Sequence, residues 1–429
     1  MKRLLALILV ALTLSCVPLG LSSCDNGNPP VVTTDPITDS ITDPLTDPVT
    51  DPVTDPMTDP VTDPITDPVT DPATEPVTEP VIVEPVIEFM NPLTGLETGT
   101  DVSKVRPVAV SIDNVWRAQP TIGLSLADVL IELPVEGFET RMLAIYLEYE
   151  DLPTIGNVRS VRDYFVRLAA DFDTVLVHAG SDTDDGWLQL GPNAIKRGFL
   201  VSYMLKKGEI SSPDERQDLW VTGIDNIDSL NYYPKPMFRD LDRMYNMSTE
   251  HSLMVNGEII AHSIGYKDYR TTLADGFTYP YTIGTAASTP ADKSAVEVFL
   301  PYNPYRSNYG ASYKYDADKG LYLRSNFDSQ PSIDGMNNKQ LAFKNLIIIE
   351  MSSTIFPNDP KNRLNVDYVG EGTGYYCVNG KCEEITWKRE AADKALVLLG
   401  ADGSTLDIVP GKVMINLYPS EYHDSIKID

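Results

Sequence analysis

The apolar positions of this 429-residue chain change rhythm twice, and each rhythm predicts a different structure. Apolar residues dominate Leu4 to Gly20, directly behind the basic Lys2 and Arg3. A basic start followed by a short apolar run is the pattern of an export signal. From Thr38 to Pro80 the rhythm becomes fourfold, with one apolar residue after each Thr-Asp-Pro or Thr-Glu-Pro triplet. A period of four matches neither a helix nor a strand, so this segment has no face to bury. Recurrent proline fixes φ and removes donors while the acids repel one another. An extended, polyproline-like spacer follows, reaching on the order of 200 Å at about 3.1 Å per residue.

Beyond Phe89 the pattern is that of a folded protein. Arg106 to Ile112 alternates and predicts a strand; Ala127 to Leu133 and Thr140 to Glu148 predict two more, paired antiparallel around a turn at Gly137. Val161, Tyr164, Phe165, Leu168, Ala169 and Phe172 recur at helical spacing, which predicts a helix over 159–172, with a strand over 174–178 directly behind it. Small and turn-forming residues over 281–294 mark a boundary. Short strands are then predicted at 296–300, 321–324, 346–350, 374–378, 384–388 and 413–417. The expected fold class is α+β: an N-terminal mixed-sheet α/β-type domain over 89–283, then a smaller, mainly β domain over 284–429. A signal peptide (1–24) and an acidic Thr/Asp/Pro stalk (25–88) precede them.

Charge and cysteines sharpen this picture. The formal net charge is −28, and the fifteen acids of residues 25–88 supply about half of it. With those and the signal's Lys2 and Arg3 set aside, about −15 remains on the rest. Nucleic acid is an unsuitable partner for such a surface, since phosphate binding needs a basic footprint. Leu21-Ser22-Ser23-Cys24 closes the signal and resembles the lipobox of bacterial lipoproteins, which implies cleavage before Cys24 and lipid on its thiol. No later run reaches about 18 apolar residues, so lipid on Cys24 is the expected route to the membrane. Cys377 and Cys382 flank Val378-Asn379-Gly380-Lys381. Asn-Gly is a strong signal for a two-residue hairpin turn and would make the cysteines a close, non-hydrogen-bonded pair that accepts a disulfide.

The folded region also carries a set of short motifs: Asn91-Pro92-Leu93-Thr94-Gly95, Arg106-Pro107-Val108-Ala109-Val110 leading to Asp113-Asn114, and Gly123-Leu124-Ser125 with Ala127-Asp128. Thr140-Arg141 follows, then Ile155-Gly156-Asn157-Val158-Arg159-Ser160-Val161-Arg162-Asp163, His178-Ala179-Gly180, and Phe238-Arg239-Asp240 with Arg243 and His251. On these motifs residues 91–420 resemble the YerB-like family of bacterial lipoproteins. Asn157 stands where that family usually has Pro. The resemblance implies paired N- and C-terminal domains and lipidation, and it carries over no activity.

The candidate chemistry is cationic. Arg159 and Arg162 are expected in the first turn of the predicted helix, where the dipole disfavours cations, so a bound anion or a nearby acid such as Asp163 would have to offset them. His178 closes a strand at its carboxyl end, where α/β sheets gather ligands. Asp113, Asn114 and Arg141 lie in the family motifs, while Arg239, Asp240, Arg243 and His251 form a further cluster. An Asp that orients a His could support proton transfer. Asp182, Asp184 and Asp185 miss the calcium-loop spacing, and Gly370-Glu371-Gly372-Thr373-Gly374 has no helix behind it, so neither metal nor cofactor is expected. No Gly-x-Ser-x-Gly elbow, HExxH pair or active-site cysteine is present. The leading expectation is a tethered protein that binds an anionic or polar cell-envelope ligand. The alternatives are a cell-wall hydrolase or transferase with His178 or His251 as base, and a protein-interaction scaffold.

Overall fold

The computed structural model of the chain describes residues 88–180, 251–284, 293–306, 308–356, 359 and 361–429, together with the strand backbones at 200–202, 219–221, 229–231 and 238–239. Cys24 and the stalk to residue 87 lie outside the described residues, as do Asp182 to Gly186, Asp240 and Arg243.

Among the described residues one eleven-stranded sheet dominates. Its strands, in chain order, are β1 (Val108–Asp113), β2 (Val129–Pro134), β3 (Thr140–Tyr146), β4 (Val175–His178), β5 (Ser229–Asn231) and β6 (Lys293–Ser294). The set continues with β7 (Asn345–Met351), β8 (Gly370–Val378), β9 (Lys381–Arg389), β10 (Val397–Leu399) and β11 (Val413–Pro419). Across the sheet they run β5-β4-β1-β3-β2-β11-β7-β8-β9-β6, with β10 also on β9. The joint between the halves of the chain is the parallel β2–β11 pair, Val129 against Val413 through Glu132 against Asn416. β1, β2, β3, β7 and β11 are buried at every position. That explains their near-continuous apolar sequence: strands covered on both faces have no solvent side to mark.

Two layers cover the sheet. On one face α1 (Asp163–Ala170) contributes Tyr164, Phe165 and Leu168 to a core that also holds Tyr281, Trp387 and Leu398. On the other face Ile260 and Ile264 of α2 (Gly257–Lys267) join Val298, Leu300, Tyr313, Tyr322 and Phe343. Those last five residues belong to a second, six-stranded sheet built around Glu297–Leu300, Ala311–Asp316 and Leu321–Asn326. Described helix is scarce, so the fold is mostly sheet and poorer in helix than expected. No helix among the described residues is long and apolar enough to cross a membrane.

The predicted helix over 159–172 shrinks to the eight residues of α1. Arg162 is its extended N-cap residue and Arg159 precedes it, so neither sits in the first turn; Asp163 does, with the sign the dipole favours. The physical reason is competition for backbone donors, because residues 156–161 are already hydrogen-bonded as an extended strap across neighbouring segments. The cysteine hairpin forms with Cys377 opposite Cys382 and Val378 opposite Lys381. Asn379 and Gly380 have φ of 53° and 72°, as that turn requires, and a disulfide joins the cysteines across a Cα–Cα distance of 4.1 Å.

Candidate functional site

β1 and β4 are parallel neighbours, so their carboxyl-terminal residues, Asp113 and His178, come to one edge of the sheet. β3 runs antiparallel to both β1 and β2, and this places its second residue, Arg141, opposite Asp113 on one side and Leu133 on the other. The strap then crosses this edge. Asp113 N donates to Asn157 O at 2.9 Å, Arg159 N to Ser111 O at 2.8 Å, Ala179 N to Arg159 O at 3.0 Å and Val161 N to Gly180 O at 3.1 Å. Gly156 admits the close crossing, since a Cβ there would lie 2.0 Å from Met254 Sδ and 2.9 Å from Leu253 O. The short strand Leu253–Val255 pairs with Ile155–Gly156 and delivers His251, just before it, to the same edge. Five sequence-predicted residues thus converge: Asp113, Arg141, Arg159, His178 and His251.

Asp113 is the electrostatic hub. Its Oδ2 lies 2.9 Å from Nδ1 of His251 and 3.1 Å from Nε of Arg159, and its side chain is almost fully buried. Burial alone would raise the carboxyl's pKa. The hydrogen bond from His251 and the charges of Arg141 and Arg159 reverse that effect and hold it below the usual carboxylate range. A carboxylate that orients an imidazole is also the arrangement general-base chemistry uses.

Arg162 forks onto Glu136, with Nε 3.2 Å from Oε2 and Nη2 against Oε1. Burial pushes the Glu136 carboxyl up, but the Arg162 and Arg141 charges outweigh it and hold the group ionised. Arg141 is different. It is buried, its Nη1 donates to the neutral Ser160 carbonyl oxygen at 2.6 Å, and its Nε has no hydrogen-bonding partner among the described residues. Among the described residues it also makes no carboxylate ion pair. Burial, and then repulsion from Arg162, bring its pKa down to about 10. Among the described residues, three guanidinium groups therefore share this edge with the carboxylates of Asp113 and Glu136.

The remaining candidates divide. Asn114 is absorbed into the interior: its Nδ2 donates to Thr140 Oγ1 at 2.7 Å and Glu132 Oε1 at 3.1 Å, and its Oδ1 accepts from Gln119 Nε2 at 3.2 Å. Glu132 in turn pairs with Arg324 at 2.8 Å, a buried bridge between the two halves of the chain. His178 is fully buried, with Nδ1 2.8 Å from Gly180 O and Nε2 unpartnered among the described residues. Burial lowers its pKa to about 4, against the raising effect of the Gly180 hydrogen bond, so the ring is neutral near pH 7. Arg239 lies opposite Leu253 in the small sheet that carries His251. Sequence reasoning missed Glu136, Glu132 and Arg324. The turn around Gly137 was a usable signal for Glu136, since it returns the chain to the edge where Arg141 begins β3. Among the described residues no group of three His, Cys, Asp or Glu is placed to hold a metal ion.

Two family patterns match this chain. The N-terminal domain of the protein of unknown function DUF3048 covers residues 93–190, and its C-terminal domain covers residues 300–415. The first match contains Asp113, Arg141, Arg159, Arg162 and His178, while His251 lies beyond it. YerB of Bacillus subtilis (strain 168), which is named as a lipoprotein, is 31% identical over 332 residues, spanning 76% of this chain and 86% of that protein. The crystal structure of YerB from Bacillus subtilis superposes with a TM-score of 0.59 at 28% identity, covering 80% of this chain and 100% of that one. The shared domain pair, over most of both chains, places this protein in the YerB-like family, whose N- and C-terminal DUF3048 domains it carries.

Proposed function

We propose that this protein is a lipid-anchored binding protein, held outside the membrane through Cys24 on its acidic stalk, and that the arginine edge receives an anionic group of a cell-envelope ligand. The lipobox-like Leu21-Ser22-Ser23-Cys24 and the lipoprotein name of the Bacillus subtilis relative support the tether.

The observation that carries the binding reading is Arg141. A buried guanidinium is costly unless a charged partner compensates it. Among the described residues Arg141 hydrogen-bonds only to Ser160, while Asp113 is engaged by Arg159 and His251, and Glu136 by Arg162. A carboxylate or phosphate seated beside it would supply the missing charge and accept fork-shaped hydrogen bonds. Thermal unfolding of the full-length chain in detergent, against acetate, citrate and inorganic phosphate, tests this. A ligand of the native state at a hundred times its Kd adds about 2.7 kcal/mol of stability. We expect a concentration-dependent rise in Tm with one of these anions, diminished in Arg159→Gln, whose side chain is partly exposed. No rise with any of the three would contradict the reading.

A further inference from the structure

A belt of aromatic rings, drawn from both halves of the chain, adjoins the arginine edge. Trp116 follows Asp113 by three residues, is 59% exposed, and meets Phe327 edge-on at 5.8 Å. Phe327 packs on Tyr309 at 5.2 Å, and the Tyr309 hydroxyl donates to Glu139 Oε2 at 2.5 Å. Beside Glu139, Phe138 meets Tyr305 edge-on at 5.3 Å, and Tyr305 is 82% exposed. Arg306 lies 4.5 Å above the Tyr309 ring. The belt comes close to Asp113 at two points. Asn326, next to Phe327, lies 3.5 Å from Asn114, and Glu139 feels the charge of Asp113.

Exposed rings at both ends of a buried support are not what stability alone selects, since leaving apolar area in water forgoes burial free energy. Phe327, Asp328 and Ser329 also have φ of 42°, 60° and 66°, three successive non-glycine residues in the left-handed region. Side chains rarely adopt that conformation, and such residues cluster where a ligand is clamped. The faces of aromatic rings are electron-rich. They pack against the C–H faces of sugar rings, whose hydrogens carry partial positive charge. Glu139, Arg306 and Asp328 interrupt the belt with charge, which suits hydroxyl-bearing ligands better than a hydrocarbon surface.

We propose that the ligand is an anionic glycan, with its acidic group at Arg141 and neighbouring hexose rings stacked on Trp116 and Tyr305. This rests on the anion-binding reading above, and the test separates the two. Calorimetric titration of the full-length chain in detergent compares trigalacturonate, maltotriose and acetate. Trigalacturonate binds more tightly than either of the others. Trp116→Ala and Tyr305→Ala, at exposed positions that leave the fold intact, each weaken trigalacturonate about five- to tenfold and leave acetate unchanged. If both variants bind trigalacturonate as the wild type does, or if it binds no better than acetate or maltotriose, the glycan assignment is overturned and the anion reading stands. If neither acetate nor trigalacturonate binds the wild type, the anion reading falls and takes this proposal with it. Binding of phosphatidylcholine vesicles that disappears in Trp116→Ala would also overturn it, in favour of a membrane-contact rim.

Discussion

At the scale of single residues, the sequence singles out cations that meet at one edge of the sheet but not the partners they meet there. Arg159 and His251 are conspicuous by type and motif, yet both meet Asp113, and His251 is 138 residues away from it in the chain. No local pattern encodes such a meeting; it follows from three strands and a strap arriving at one edge. His178 yields the clearest prediction at this scale. Its folded pKa is about 4 against about 6.5 unfolded, so the unfolded chain binds the extra proton between these values. Its contribution to stability is therefore complete above about pH 6.5 and is lost progressively as pH falls towards 4, by about 3 kcal/mol at most. Urea unfolding of wild type and His178→Gln at pH 7 and pH 4.5 should show the wild type losing more stability between the two. Equal losses would mean that the imidazole is not held neutral by burial.

At the scale of elements, strands were more legible than helices. The alternating and apolar runs placed β1, β3, β7 and β11 to within a few residues, and Asn379-Gly380 fixed the hairpin register through the φ values its turn demands. The helix was overextended because Val161 fits a helical stripe while its N–H is in fact spent on Gly180 O. The end of α1 depends on a contact equally hidden from the sequence. Asp171, its C-cap, accepts from Arg389 Nη1 at 2.9 Å and from Leu396 N at 2.9 Å, with both charged side chains almost wholly buried. Burial raises the Asp171 carboxyl, and Arg389 opposes that shift without cancelling it. Replacing Asp171 by Asn leaves the Arg389 charge buried and uncompensated, and should cost about 3–5 kcal/mol in denaturant unfolding. A loss below about 1 kcal/mol would show that water or relaxation compensates that charge.

At the scale of the whole molecule, the change of composition over 281–294 lies between the two family matches, and it conceals that the residues on either side contribute to one sheet. The β2–β11 pair, the Glu132–Arg324 bridge and the belt from Trp116 to Tyr305 all join residues from either side of that stretch. Doubly buried strands read alike, so nothing in Val129–Pro134 announces Val413–Pro419 as its neighbour. The net charge of −28 also conceals a local edge where, among the described residues, three arginines face the carboxylates of Asp113 and Glu136. That local imbalance centres on Arg141. The decisive measurement is the gap in Tm between wild type and Arg141→Met, recorded without ligand and again at a saturating concentration of the anion that stabilises the wild type. An anion seated on Arg141 widens the gap in favour of the wild type. A gap of the same size in both conditions would show that Arg141 is a structural charge and that the anion binds elsewhere.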